Sequence, residues 1–245
     1  MIDRWALSKT ADLVTELTDA MDSYELHRVV QLINRFCSGV LSSTYHDIIK
    51  DRLYTLHRDD PKRRSTQTAI FKIFETFISL IGPILPFTAD EAWSFHKTKQ
   101  KLSSEFLALQ KWPESASSWM DGLAVEDAEK LLNLKESKIN EVLESLRSSK
   151  EIGQSLEAEL VITCSKDDDL FAILDRRQDE LAELFIVSSV IVNLSDANSE
   201  LSISAHHAPG VRCPRSWRWV PELVEVENWG PVSPRCANVL TKINH

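Results

Sequence analysis

Two short knuckles near the C-terminus constrain this chain more than any other feature. Cys213-Pro214-Arg215-Ser216 and Ser233-Pro234-Arg235-Cys236 begin 20 residues apart, the spacing at which two C-x-x-C pairs close on one tetrahedral zinc ion. Each knuckle has serine where one of its cysteines belongs. Positions 216 and 233 therefore supply hydroxyls, which stay protonated at neutral pH and bind zinc poorly, beside the two thiols of Cys213 and Cys236. No stoichiometric zinc is expected at this remnant; His206 or His207 could supplement the half-site, but their spacing does not demand it.

At 245 residues and 43% apolar content, the chain is long enough for two domains and a small terminal module. Four cysteines make no disulfide framework and suit a reducing cytosol. Met1-Ile2-Asp3-Arg4-Trp5 mixes acid and base and lacks the apolar run of a signal peptide. The longest apolar stretch, Phe77 to Phe87, is interrupted by Ser79, Gly82, Pro83 and Pro86 and is too short to cross a bilayer. The expectation is a soluble, cytoplasmic monomer with no membrane partner. Its net charge of −9 is unevenly spread. Met1 to Pro113 carries 15 basic and 14 acidic residues, Glu114 to Ser204 carries 8 and 20, and Ala205 to His245 carries 5 and 3. A surface for a polyanion therefore belongs on the first and last segments.

Helical periodicity dominates the first segment. Ala6, Leu7, Ala11, Leu13, Val14, Leu17 and Met21 form one apolar stripe, and Leu26, Val29, Val30, Leu32, Ile33 and Phe36 form another. A third runs from Asp59-Asp60-Pro61 through Ile70, Ile73, Phe74, Phe77, Ile78 and Ile81 to the stop at Gly82-Pro83. Thr88 and Glu91 read as a capping box opening a fourth helix. The middle segment alternates, with helices over Leu131–Leu146 and Leu170–Phe185 and strands over Leu160–Thr163 and Ile186–Val192. The fold class expected is mainly α: an antiparallel helical bundle over 1–113, a small α/β domain over 114–204 and a degenerate knuckle module over 205–245.

Catalytic chemistry is missing from this reading. Six glycines, none spaced as a phosphate cradle, leave no nucleotide site of the usual kinds, and there is neither H-E-x-x-H nor G-x-S-x-G. Asp167-Asp168-Asp169 reads as a helix start complementing the dipole. Cys37 and Cys164 read as small apolar residues.

Several stretches then converge. Tyr24-Glu25-Leu26-His27, Arg35-Phe36-Cys37, Tyr45 through Tyr54, and Pro83 through Trp93, in that order, resemble the anticodon-binding bundle of class I aminoacyl-tRNA synthetases. Within that class Ile48 to Tyr54, the Ser155-Leu156-Glu157-Ala158 turn and the paired knuckles look like the bacterial isoleucine enzymes. The resemblance covers essentially the whole chain. It implies the tRNA-binding C-terminal portion of an isoleucine–tRNA ligase, with isoleucine tRNA and the parent's catalytic core as partners. That core, which uses ATP, would precede Met1, so the chain alone would carry no catalytic site and no cofactor. The family's arginine and tryptophan at the first knuckle match Arg215 and Trp217, whose guanidinium and indole suit an unpaired loop.

Two readings stay open for the other basic residues. Lys50, Arg52, Arg63 and Arg64 serve either as RNA backbone contacts or as an ion-pair network with Asp47, Asp51, Asp59 and Asp60. Trp217 serves either as a stacking surface or as part of a small apolar core with Trp219 and Trp229, which are expected to pack. The alternative for the whole chain is a helical protein-interaction module that kept the synthetase fold and no longer binds tRNA.

Overall fold

The computed structural model describes residues 1–100, 106–195 and 200–243. The chain is mainly α and groups into two compact units, one made of Met1–Asp47 and Ser65–Val125, the other of Ile48–Arg64 and Glu126–His245. Each unit is therefore assembled from two stretches of chain.

The first unit is a helical bundle. Helix α1 (Ile2–Asp22) buries Ala6, Ala11, Leu13, Val14 and Leu17 of the expected stripe, with Trp5 added, while Leu7 and Met21 are half-buried. The chain reverses at Tyr24, in the left-handed region at φ 57°. It enters α2 (Leu26–Arg35), which widens into π turns over Phe36–Tyr45 and continues as α3 (His46–Thr55). Helix α4 (Pro61–Ile81) starts with proline at its first position, where no N–H is needed. Asp60 Oδ1 accepts from the Lys62 N–H at 2.9 Å and caps it.

Helix α5 (Pro86–Gln100) opens two residues before the expected Thr88, again with proline in the first turn, and its Ala89 N–H bonds to Leu85. The capping box at Thr88 and Glu91 therefore does not form the helix start. Ile78, Ile81, Ala89, Trp93 and Leu107 close one core cluster. Asp3 is buried deep in this unit, where its carboxylate accepts from the hydroxyls of Tyr45 (2.8 Å), Ser65 (2.9 Å) and Thr66 (3.0 Å). Three hydroxyls satisfy a charge that would otherwise be costly to bury.

In the second unit α6 (Gly122–Leu134), begun in the first, runs through a π turn at Lys135–Ile139 into α7 (Asn140–Ser148). Strand β1 (Ala158–Ser165) leads to α8 (Asp169–Arg176) and α9 (Gln178–Leu184), then to β2 (Ser189–Ser195), parallel to β1 with Leu160 opposite Val190. The expected single helix over Leu170–Phe185 is thus two helices, broken at Arg177. Asp168 caps α8 by accepting from the Leu170 N–H at 2.9 Å. Arg176 and Arg177 both converge on the buried Asp127 carboxylate, at 2.9 Å and 2.8 Å through their Nε atoms. Strand β3 (Ser202–His207) joins the other edge antiparallel to β1, with Leu160 opposite Ala205. Ser204 lies inside this strand.

The knuckles follow on two small antiparallel ribbons, β4 (Val211–Arg212) with β5 (Trp219–Val220), and β6 (Val224–Val226) with β7 (Gly230–Val232). They end in α10 (Pro234–Ile243). Cys213, Val226, Val232, Cys236, Ala237 and Leu240 form their core. Gly210, at φ 99°, leads into β4, and a Cβ there would stand 2.1 Å from the Val220 carbonyl oxygen, so only glycine fits. None of the described helices is long and apolar enough to cross a membrane.

Candidate nucleic-acid interface

Two basic stretches far apart in sequence meet inside the second unit. Ile48–Arg64 carries six basic and three acidic residues, and the knuckle module five and three. Both knuckle arginines grip α3. Arg215 Nη1 donates to the Thr55 carbonyl at 2.6 Å and Nη2 to that of Tyr54 at 3.4 Å, which places a cation at the negative end of the helix. Arg235 makes a two-pronged pair with Asp51, at 2.6 and 2.8 Å. Arg218 adds a second cation 3.5 Å from Asp51. Burial pushes the Asp51 carboxyl up, but Arg235 and then Arg218 outweigh it and hold it below its ordinary value.

The expected contact residues separate by burial. Lys50 and Arg64 are exposed, and Arg63 is partly so, with Nη1 donating to the Leu56 carbonyl at 2.9 Å. Arg52 is 4% exposed, and its guanidinium is enclosed by Glu183, at 3.0 Å through Nη2, and by Glu180. It has no surface from which to meet a phosphate, so its charge is spent joining α3 to α9.

Trp217 is 50% exposed and sits in the left-handed region at φ 63°, a conformation that costs a bulky residue about 1–2 kcal/mol. It takes no part in the knuckle core, and the Arg212 guanidinium lies 5.5 Å from its ring. Trp219 packs edge-on against His207 at 4.3 Å. Trp229, expected to pack, is 53% exposed. Tyr54, whose carbonyl Arg215 holds, has its residue 77% exposed.

The knuckle keeps the spacing of a metal site without its donors. Cys213 Sγ and Cys236 Sγ are 3.8 Å apart, and the edge of a tetrahedron with zinc–sulfur bonds of 2.3 Å is also about 3.8 Å. The other two corners are hydroxyls. His206 is taken by Glu159 at 3.0 Å and His207 by Trp219. No group of three or more His, Cys, Asp or Glu able to hold a metal occurs among the described residues, so this donor set does not fit a four-thiolate ion.

Protein donors surround the sulfurs instead. The Ser233 N–H points at Cys213 Sγ from 3.2 Å, and Arg215 Nη1 lies 3.6 Å from Cys236 Sγ. Ser216 Oγ makes no hydrogen bond of ordinary geometry, so it offers the sulfur only a dipole. Burial pushes the Cys213 thiol up, but the hydroxyls and N–H groups of Ser216 and Ser233 outweigh it and pull it from 9.0 to about 6.

A family model described as the anticodon-binding domain of tRNA ligase matches residues 3–162. The chain belongs to that family. Its curated relatives include isoleucine–tRNA ligases of Thermotoga maritima, 38% identical over 245 residues, of Petrotoga mobilis, 37% over 243, and of Syntrophotalea carbinolica, 34% over 247. Each alignment takes in 98% of this chain and 26% of the relative, so the chain spans about a quarter of their length. Around the knuckles the sequence points to Arg215 but not to Arg235, Arg218 or Tyr54, which join it in the structure. One signal was there to find: both knuckles carry the dipeptide Pro-Arg, at 214–215 and at 234–235.

Proposed function

We propose that this chain is the RNA-binding portion of an isoleucine–tRNA ligase and that the anticodon stem and loop of isoleucine tRNA meets the second unit. The α3–α4 tip and the first knuckle form the contacting face. One observation carries the reading: Trp217 combines a half-exposed indole with a costly backbone conformation, and neither core packing nor backbone preference accounts for that. An indole held this way can stack on an unpaired base, while Lys50, Arg63 and Arg64 neutralise phosphates nearby. Arg215 acts by holding the knuckle to α3. The printed names of the relatives support isoleucine tRNA as the partner. Aminoacylation belongs to a catalytic core outside this chain, and the site works in the cytoplasm as a monomer without stoichiometric zinc or ATP.

The test compares isoleucine tRNA with an anticodon-swapped version, in the ligase with its catalytic core attached. Trp217→Ala should weaken binding of the cognate RNA by about 5- to 100-fold, the equivalent of about 1–3 kcal/mol for one stacked base. Circular dichroism checks that the variant stays folded. If a folded Trp217→Ala protein binds both RNAs as the parent does, the knuckle is structural and the helical bundle must do the recognition; if the parent itself binds neither RNA, the helical interaction-module reading takes its place.

A further inference from the structure

We propose that Cys213 and Cys236 are a modification site: a dithiol that a peroxide closes to a reversible disulfide stapling the two knuckles together. The sulfurs stand 3.8 Å apart in one buried cluster. A disulfide needs about 2.05 Å, so the remaining gap is within reach of a side-chain rotation. With hydroxyls at 216 and 233, no other thiol shares the module to compete for the bond.

Access is also provided for. An open cavity of about 340 Å³ is lined by Ser216, Arg218, Ser233 and Arg235, among others, and Ser233 is in direct contact with Cys213 Sγ. A small oxidant in this cavity is one residue away from the sulfur. One sulfur attacks a peroxide oxygen, the O–O bond breaks, and a sulfenic acid and one water form. The second thiol then attacks the sulfenic sulfur; the S–S bond forms, the S–O bond breaks and a second water leaves with the proton of that thiol. The two cysteines lose two electrons and the peroxide gains them. Closing the bond draws Cys236 Sγ from its place 3.6 Å from Arg215, while the hold of Arg215 on the Thr55 carbonyl remains.

The test exposes the reduced full chain to hydrogen peroxide, unfolds it, alkylates the remaining thiols and reads intact mass and non-reduced peptides. The expected result is two alkylated thiols in place of four, with one peptide pair joining Cys213 to Cys236 that dithiothreitol separates. Because Cys213→Ser puts a hydroxyl into the knuckle core, Cys37→Ser serves as the second variant and should form the same crosslink, leaving one alkylated thiol. Four alkylated thiols, a crosslink through Cys37 or Cys164, or a sulfinic acid on one knuckle cysteine with the other still free would each overturn the proposal. So would protection by equimolar zinc with one zinc retained per chain; unchanged crosslinking in its presence supports it.

Discussion

Replacing Arg52 with methionine tests whether burial or charge decides what a basic residue on α3 does. The substitution keeps an unbranched apolar stem and deletes the guanidinium that faces Glu183 and Glu180; Glu180 keeps Arg177, 3.5 Å away. The side chains of Arg52, Glu183 and Glu180 are 5%, 11% and 19% exposed, so salt and water screen the pair little. Removing one partner of a buried pair typically costs about 3–5 kcal/mol, because a charge is stranded. The lower end applies here, since both carboxylates keep some solvent and Glu180 keeps a second arginine. With a urea dependence of about 3 kcal/mol per molar, suited to a chain of this size, about 3 kcal/mol lowers the unfolding midpoint by about 1 M. Tryptophan fluorescence in a urea titration reads the shift. The double variant Arg52→Met, Glu183→Leu should recover most of it, because apolar residues of similar volume replace buried pairs at little cost. The reasoning is refuted if Arg52→Met leaves the midpoint in place while weakening tRNA binding tenfold, since Arg52 would then be a surface contact.

Two further outcomes follow from the geometry. Gly210→Ala should destabilise the knuckle module by more than the ~1 kcal/mol that the same change gains where the backbone allows it, because the new Cβ meets the Val220 carbonyl and φ is positive; hydrogen exchange at Arg212 and Trp219 would report it, and unchanged protection would count against the contact. Asp51 and Asp127 both have folded pKa values below the ordinary 3.8. In each, the stabilising arginines contribute fully above that value, and the contribution is lost as pH falls through the depressed one. Urea midpoints taken from pH 5 downward should therefore fall, and Asp127→Asn should flatten the decline; an equally steep decline in the variant would exclude Asp127 as a source.

What the sequence made legible follows the strength of each local signal. The stripes of α1 and α4 repeat over many turns, and the proline at position 61 marks its helix start directly, whereas in the shorter α2 the expected Leu26 and Val30 are exposed. Strand β3 escaped notice because Ser202, Ser204 and His206 alternate with only Ile203 and Ala205, a weak apolar face. The break at Arg177 was hidden because Leu174, Leu181 and Leu184 keep a helical beat across it, while the need to bring two arginines onto Asp127 is a tertiary demand. The same holds at the candidate interface. Counting charges selects Arg52 as readily as Lys50, and only the distant Glu183 distinguishes them. The grip of Arg215 and Arg235 on α3 spans about 160 and 184 residues of chain, a separation at which no local pattern speaks.

The make-up of the second unit sets a schedule for its birth on the ribosome. Residues Ile48–Arg64 are synthesised well before Glu183, Arg215, Arg218 and Arg235, which hold them. Until then the segment lacks the ion pairs and carbonyl contacts that hold it in its unit, an exposed condition that invites aggregation. Truncation ahead of the knuckles would freeze the chain in that exposed condition, however well its first helices fold.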